Sequence, residues 1–135
     1  MPSASNPNNN DTHIYKETLE KLIREVQPKL VIDLHRAHGC RPFDIDFGTL
    51  DGLSCSPKTI RRLTTCLKEE GIANFSSNYF PANKTKTVTK WVHKLGVEAV
   101  QLEINAMWLE LDGSWQDLHH FAQLLQGLSE FILTQ

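Results

Sequence analysis

Apolar positions along the chain follow two spacings, and the switches between them outline the elements. Ile14, Leu19, Leu22, Ile23 and Val26 recur at helical spacing, with Asp11 or Thr12 as a cap and Pro28 as the stop. Leu30–Leu34 (LVIDL) is short and largely apolar, which predicts a buried strand ending at Leu34. Phe43–Phe47 (FDIDF) alternates strictly and predicts a strand with one buried face. Ser56 and Pro57 open a second helix with an inner stripe of Ile60, Leu63 and Leu67, and Gly71 suits the left-handed position beyond its end. Ile72–Ser76 reads as a third strand. Residues 77–90 are irregular, with a helical turn around Val88–Leu95, and Val97–Asn105 is a fourth strand. Ser114 and Asp117 are spaced nearly as a capping box, opening a last helix striped by Leu118, Phe121, Leu125, Leu128 and Ile132. The order α-β-β-α-β-β-α predicts a mixed sheet with helices on its faces.

Composition narrows the class. At 135 residues and 40% hydrophobic, the chain can bury the core of one domain. Residues 1–12 (MPSASNPNNNDT) have almost nothing to bury and read as a flexible lead-in to a single domain over 13–135. A net charge of −2 excludes a globally basic nucleic-acid binder. No apolar run is long enough to span a membrane, and the first residues show no secretory pattern. Cys40, Cys55 and Cys66 are odd in number and contain no C-x-x-C, which argues for a reducing cytoplasm over a disulfide framework. Residues 71–97 carry Lys84, Lys86, Lys90 and Lys94 and no acid, whereas residues 98–135 carry six acids and no Lys or Arg. This is either a solvated basic loop beside an acidic helix, or a lysine-rich loop that attracts an anionic substrate. The N-x-[ST] matches at Asn10, Asn74 and Asn83 matter only to a secreted chain.

Two segments carry candidate chemistry. In Asp33–His38 (DLHRAH), Asp33 and His35 share a strand face. Ligands of open α/β sheets sit beyond the carboxyl ends of strands, so His35 is placed for metal ligation with Asp33 orienting its ring. His38 is then a second ligand, or both histidines are polar loop residues. In Val100–Asn105, Leu102 and Ile104 face one side, and Gln101, Glu103 and Asn105 face the other. That polar face is either the wet side of an edge strand or a carboxylate poised as general base or ligand, with burial raising its pKa. A Cys40 nucleophile beside His38 is a third candidate. Cys66 fits packing, and His119 and His120 fit surface or packing roles. Trp91, Trp108, Trp115, Phe121 and Phe131 are the expected core anchors.

The stretches VIDLHRAHGCRPFDIDFGTLDG, GIANFSSNYFPANKT and VEAVQLEIN, in that order over about residues 13–110, resemble the carboxyl-terminal half of an N-formylglutamate amidohydrolase. DLH after an apolar run, FDIDFGT and QLEIN carry the resemblance. It implies a phosphorylase/hydrolase-like (zinc-carboxypeptidase-like) α/β fold, with a mixed, mainly parallel sheet flanked by helices and incomplete on its amino-terminal side. It further implies a zinc cofactor with His35 as ligand, and Glu103 as the carboxylate that takes a proton from zinc-bound water, whose pKa zinc lowers to about 7. Asp33 would support His35. The implied substrate is an N-formyl or N-acyl amino acid, released as formate and the free amino acid. Arg36 and Arg41 are then the expected cations for its carboxylate, with Asn78 also in the substrate site. Three features differ from the family pattern. Its early-loop histidine and acid have no counterpart before His35, since His13 belongs to the first helix and the lead-in has only Asp11. Ala82-Asn83 replaces a common Gly-Gly, and Ala106 replaces a common arginine. Two readings follow. One is a zinc amidohydrolase, either truncated or short by nature, the short form setting His35, His38 and Glu103 around the metal. The other is a metal-free half-domain that pairs with a separate amino-terminal half, self-associates through an exposed sheet edge, or only binds a ligand.

Overall fold

Helix α1, Ile14–Val26, follows the predicted spacing and stops before Pro28. The computed structural model describes residues 6, 14–84 and 86–134, so the Asp11/Thr12 cap, His13, Asn10 and most of the lead-in lie outside the described residues. Strand β1, Leu30–Ala37, leads to β2, Ile45–Gly48. Helix α2, Pro57–Glu69, starts as read, with the Ser56 hydroxyl accepting from the Thr59 N–H and proline in the first turn. Strand β3, Phe75–Ser77, is followed by helix α3, Val88–Lys94, strand β4, Glu98–Asn105, and a short 3₁₀ turn, Ala106–Trp108. Helix α4, Trp115–Leu133, opens on a complete Ser114/Asp117 capping box.

The sheet runs β1-β4-β2-β3. β1 pairs parallel with β4, β2 pairs parallel with β3, and the central β2–β4 pairing is antiparallel. This is the mixed, mainly parallel sheet expected. β4 lies inside the sheet, so its polar face is not that of an edge strand.

The two sheet faces divide the work. Ile45, Phe47, Val100, Leu102 and Ile104 pack against Leu63 and Leu67 of α2 and Leu124 and Phe131 of α4. On the opposite face, Val31 and Ala99 meet Ile23 of α1 and Val88 and Val92 of α3. Lys16 of α1 is fully buried, and its Nζ donates to the Lys86 carbonyl at 2.6 Å, so an apolar stem fills the packing while the charge reaches a backbone acceptor.

Several expectations change. β1 continues past Leu34 to Ala37, so His35 sits within a strand. β2 is buried along its whole length, Asp46 included, because the chain beyond β3 crosses its second face. The third strand shifts to Phe75–Ser77, and Ile72 is a core residue ahead of it. α4 buries Leu124, Gly127 and Phe131 and leaves Leu118, Leu125 and Ile132 exposed. Gly127 decides this face: a Cβ there would lie 2.9 Å from Leu67 Cδ2 and 3.2 Å from Leu67 Cα, so α4 meets α2 where a side chain is missing. Likewise Ile14, Leu22 and Val26 of α1 are exposed, and Trp115 is 88% exposed instead of anchoring the core. Among the described residues no helix is long and apolar enough to cross a membrane.

Candidate active site

Register places the candidate groups side by side. In the β1–β4 ladder Asp33 is opposite Gln101 and His35 opposite Glu103. In the β2–β4 ladder Asp46 is opposite Glu103 and Gly48 opposite Gln101. Partners in a ladder share a face, so residues remote in sequence form one polar patch at the carboxyl ends of β1 and β4.

His35 Nε2 lies 2.7 Å from Asp33 Oδ2, and Nδ1 lies 3.8 Å from Glu103 Oε1, close in charge but beyond hydrogen-bond length. Gln101 Nε2 donates to Glu103 Oε1 at 3.2 Å. The hydrogen bond to Asp33 raises the His35 pKa above its usual value, opposed by burial and aided by the charges of Asp33 and Glu103. The Glu103 pKa is also raised, first by burial; Asp46 and Asp33 add to the shift, and His35 and Arg41 offset it. Glu103 is thus a carboxyl whose proton affinity lies above the ordinary, beside an imidazole that favours its charged form.

The segment 78–84 crosses this face and makes the wall of a cleft of about 260 Å³, lined by His35, Gln101, Glu103, Phe80, Ala82 and Lys84 among others. Gly48 permits the crossing, since a Cβ there would lie 2.6 Å from the Phe80 carbonyl oxygen. Asp46 accepts from the Tyr79 N–H at 3.0 Å, the Phe80 N–H at 2.9 Å and Ser76 Oγ at 2.6 Å. The Arg41 guanidinium stands 4.9 Å from the centre of the Phe80 ring. Asn105 supports the Arg41 loop, its amide donating to the carbonyls of Phe43 at 3.0 Å and of Gly39 and Arg41 at 3.3 Å.

The structure therefore gathers Asp33, His35, Glu103 and, by its charge, Arg41. It sends the other expected residues elsewhere. Arg36 points off the opposite face and pairs with Glu110 at 2.9 Å. Asn78 spends its amide on the adjoining turn, its Oδ1 accepting from the Thr49 N–H at 2.9 Å. His38 is exposed, and its Nδ1 accepts from the Cys40 backbone N–H at 3.1 Å, so that pair is joined through the backbone and not through the thiol. His120 packs its ring on Trp108, 4.8 Å between centres. Asp46 was missed in the sequence because FDIDF alternates as if its acids faced water. A signal was present in the glycine two residues on, which leaves room for something to cross.

Zinc does not fit the described residues alone. Asp33 on Nε2 leaves His35 Nδ1 to ligate, but that nitrogen faces Glu103 without a third donor among the described residues, and His38 lies apart. No group of three or more His, Cys, Asp or Glu among the described residues could hold a metal ion.

No family model and no curated protein matches the chain. Among solved structures, N-formylglutamate amidohydrolase from Ralstonia eutropha JMP134 is similar, with a TM-score of 0.58 and 17% identity over 87% of this chain. The likeness is one of fold, and the chain spans 48% of that protein's length.

Proposed function

We propose that the chain is an amidohydrolase resembling N-formylglutamate amidohydrolase, taking a small N-formyl or N-acyl amino acid into this cleft and splitting it to formate, or the longer acid, and the free amino acid. The carrying observation is the register that sets His35 beside Glu103 with Asp33 on the far nitrogen of the ring. Glu103 takes a proton from the attacking water and returns it to the leaving nitrogen as the acyl C–N bond breaks, while the water oxygen stays with the acid. Its raised proton affinity brings it closer to the range where both transfers are feasible near neutral pH. His35, fixed by Asp33, stabilises the ionised form of Glu103 before the first transfer and after the second. Lys84, which lines the cleft, and Arg41, held on the Phe80 ring of its wall, are the cations for the substrate carboxylate. Cys40, Cys55 and Cys66 are unpaired, which fits a cytoplasmic setting.

One observation favours a second reading, a non-catalytic half-domain that works with a partner, with a second copy, or as a ligand-binding remnant. Among the described residues β1 is an edge strand, its Leu34 stands exposed, and exposed Ile132 lies beside its Leu30 and Ile32. The test is zinc bound per chain after dialysis, together with formate release from N-formylglutamate with and without added zinc. Formate release by the folded chain supports the enzyme. Its absence in both conditions refutes that reading, and mass above the monomer in sedimentation then supports the half-domain.

A further inference from the structure

We propose that Asp46 is a positioning residue for this cleft: its buried carboxylate fixes the Tyr79–Phe80 backbone over the face that bears Glu103, and through the Phe80 ring it fixes Arg41. The inference rests on the reading of the cleft as a substrate site and adds a residue to it.

Asp46 is fully buried in the four-residue strand β2 and is the ladder partner of Glu103. A buried carboxylate is costly unless its oxygens are satisfied, and here each accepts a backbone N–H of the segment that walls the cleft, at 3.0 Å from Tyr79 and 2.9 Å from Phe80. Ser76 Oγ adds a third bond at 2.6 Å. The segment is also strained: Asn78 (φ 57°) and Ala82 (φ 62°) both lie in the left-handed region. Leu50 and Asp51, in the turn it is bonded to, do so as well, with φ of 52° and 55°. Such residues persist where surrounding bonds over-determine them, and they gather at functional sites. The bonds are present: Asn78 N–H to the Phe47 carbonyl at 2.8 Å, Leu50 N–H to the Pro81 carbonyl at 2.9 Å, and the two amides on Asp46 between them. The wall of the cleft is thus bolted to the strand beside the catalytic one, and the Phe80 ring presents Arg41 from it.

The test is Asp46→Asn, which keeps the shape of the side chain and replaces one acceptor oxygen by a donor facing an N–H. NMR of the full chain reads three quantities: amide exchange at Tyr79 and Phe80, the ring-current shift that Phe80 imposes on the Arg41 side chain, and binding of N-formylglutamate. In the folded variant the two amides exchange at least about tenfold faster, as for a locally opened segment. The Arg41 shift collapses and binding weakens, while the Leu63 and Leu102 methyl signals stay in place. A purely structural Asp46 would lower the melting temperature and leave Arg41 and binding as they were, which would overturn the proposal. If Asp46→Asn does not fold, the wild-type chain decides: Tyr79 and Phe80 amides must be among its protected set, and exchange at the free-loop rate refutes the inference. If the wild type binds no N-formylglutamate, the substrate reading fails, while the exchange and ring-current measurements still judge Asp46.

Discussion

Replacing Gly48 by alanine tests the geometry of the cleft with a single methyl group. A Cβ at position 48 would stand 2.6 Å from the Phe80 carbonyl oxygen and 3.3 Å from both Ala82 Cβ and Gln101 Cβ. Gly48 has no positive φ, so the cost is steric and not conformational. The nearest atom is backbone and cannot swing away: the Phe80 N–H is held by Asp46 and the Pro81 carbonyl by the Leu50 N–H. Overpacking of this kind costs about 1–3 kcal/mol. A chain of this length loses roughly 4 °C of melting temperature per kcal/mol, so thermal unfolding should show a fall of about 4–12 °C. Amide shifts in the folded variant should concentrate at Tyr79–Ala82 and Gln101. A Gly48→Ala chain as stable as the wild type, with Phe80 unmoved, would show that the segment does not lie against β2 as described.

Gly127→Ala should also destabilise, because contact with Leu67 and Cys66 of α2 outweighs the gain of about 1 kcal/mol in helix propensity; denaturant titration showing net stabilisation would contradict the close approach of α2 and α4. The raised pKa values of Glu103 and His35 mean that the folded chain binds more protons than the unfolded one above their usual 4.5 and 6.5. Their stability contribution is therefore full below those values and is lost as pH rises through the folded pKa of each group. Urea titrations across pH should show this decline, and Glu103→Gln should remove its lower limb. Thiol labelling of the native chain at pH 8 should find Cys40 fast. Cys55, buried and with its pKa pushed up to about 12, should react only on unfolding, and equal rates would refute its burial.

Local order was readable where one residue type decides it. Ser56-Pro57, Gly71 and the Ser114/Asp117 box placed helix ends because capping is a short-range property. The polar side of β4 was visible as Gln101, Glu103 and Asn105, and the DLH run gave Asp33 and His35 a common face. The ladder that brings Glu103 to His35 was not readable, since pairing partners 68 positions apart leave no local trace. Nor was the role of Asp46, because alternation cannot tell a wet face from one crossed by another segment. The α4 stripe was misplaced for a related reason: periodicity counts large apolar residues, and the packing face was chosen by the small one, Gly127. Arg36, next to His35 in sequence, lies on the other face by strand alternation alone.

Formate release from N-formylglutamate by the wild-type chain and by Glu103→Gln, with substrate binding measured in both, addresses the central claim. The amide keeps the shape of the side chain and loses the proton acceptor. Glu103→Gln should bind substrate near the wild-type level and release formate about 10²–10⁴-fold more slowly, the usual worth of a general base. Equal release by the two chains would contradict the assignment of Glu103 and, with it, the cleft between β1 and β4 as the site of the chemistry.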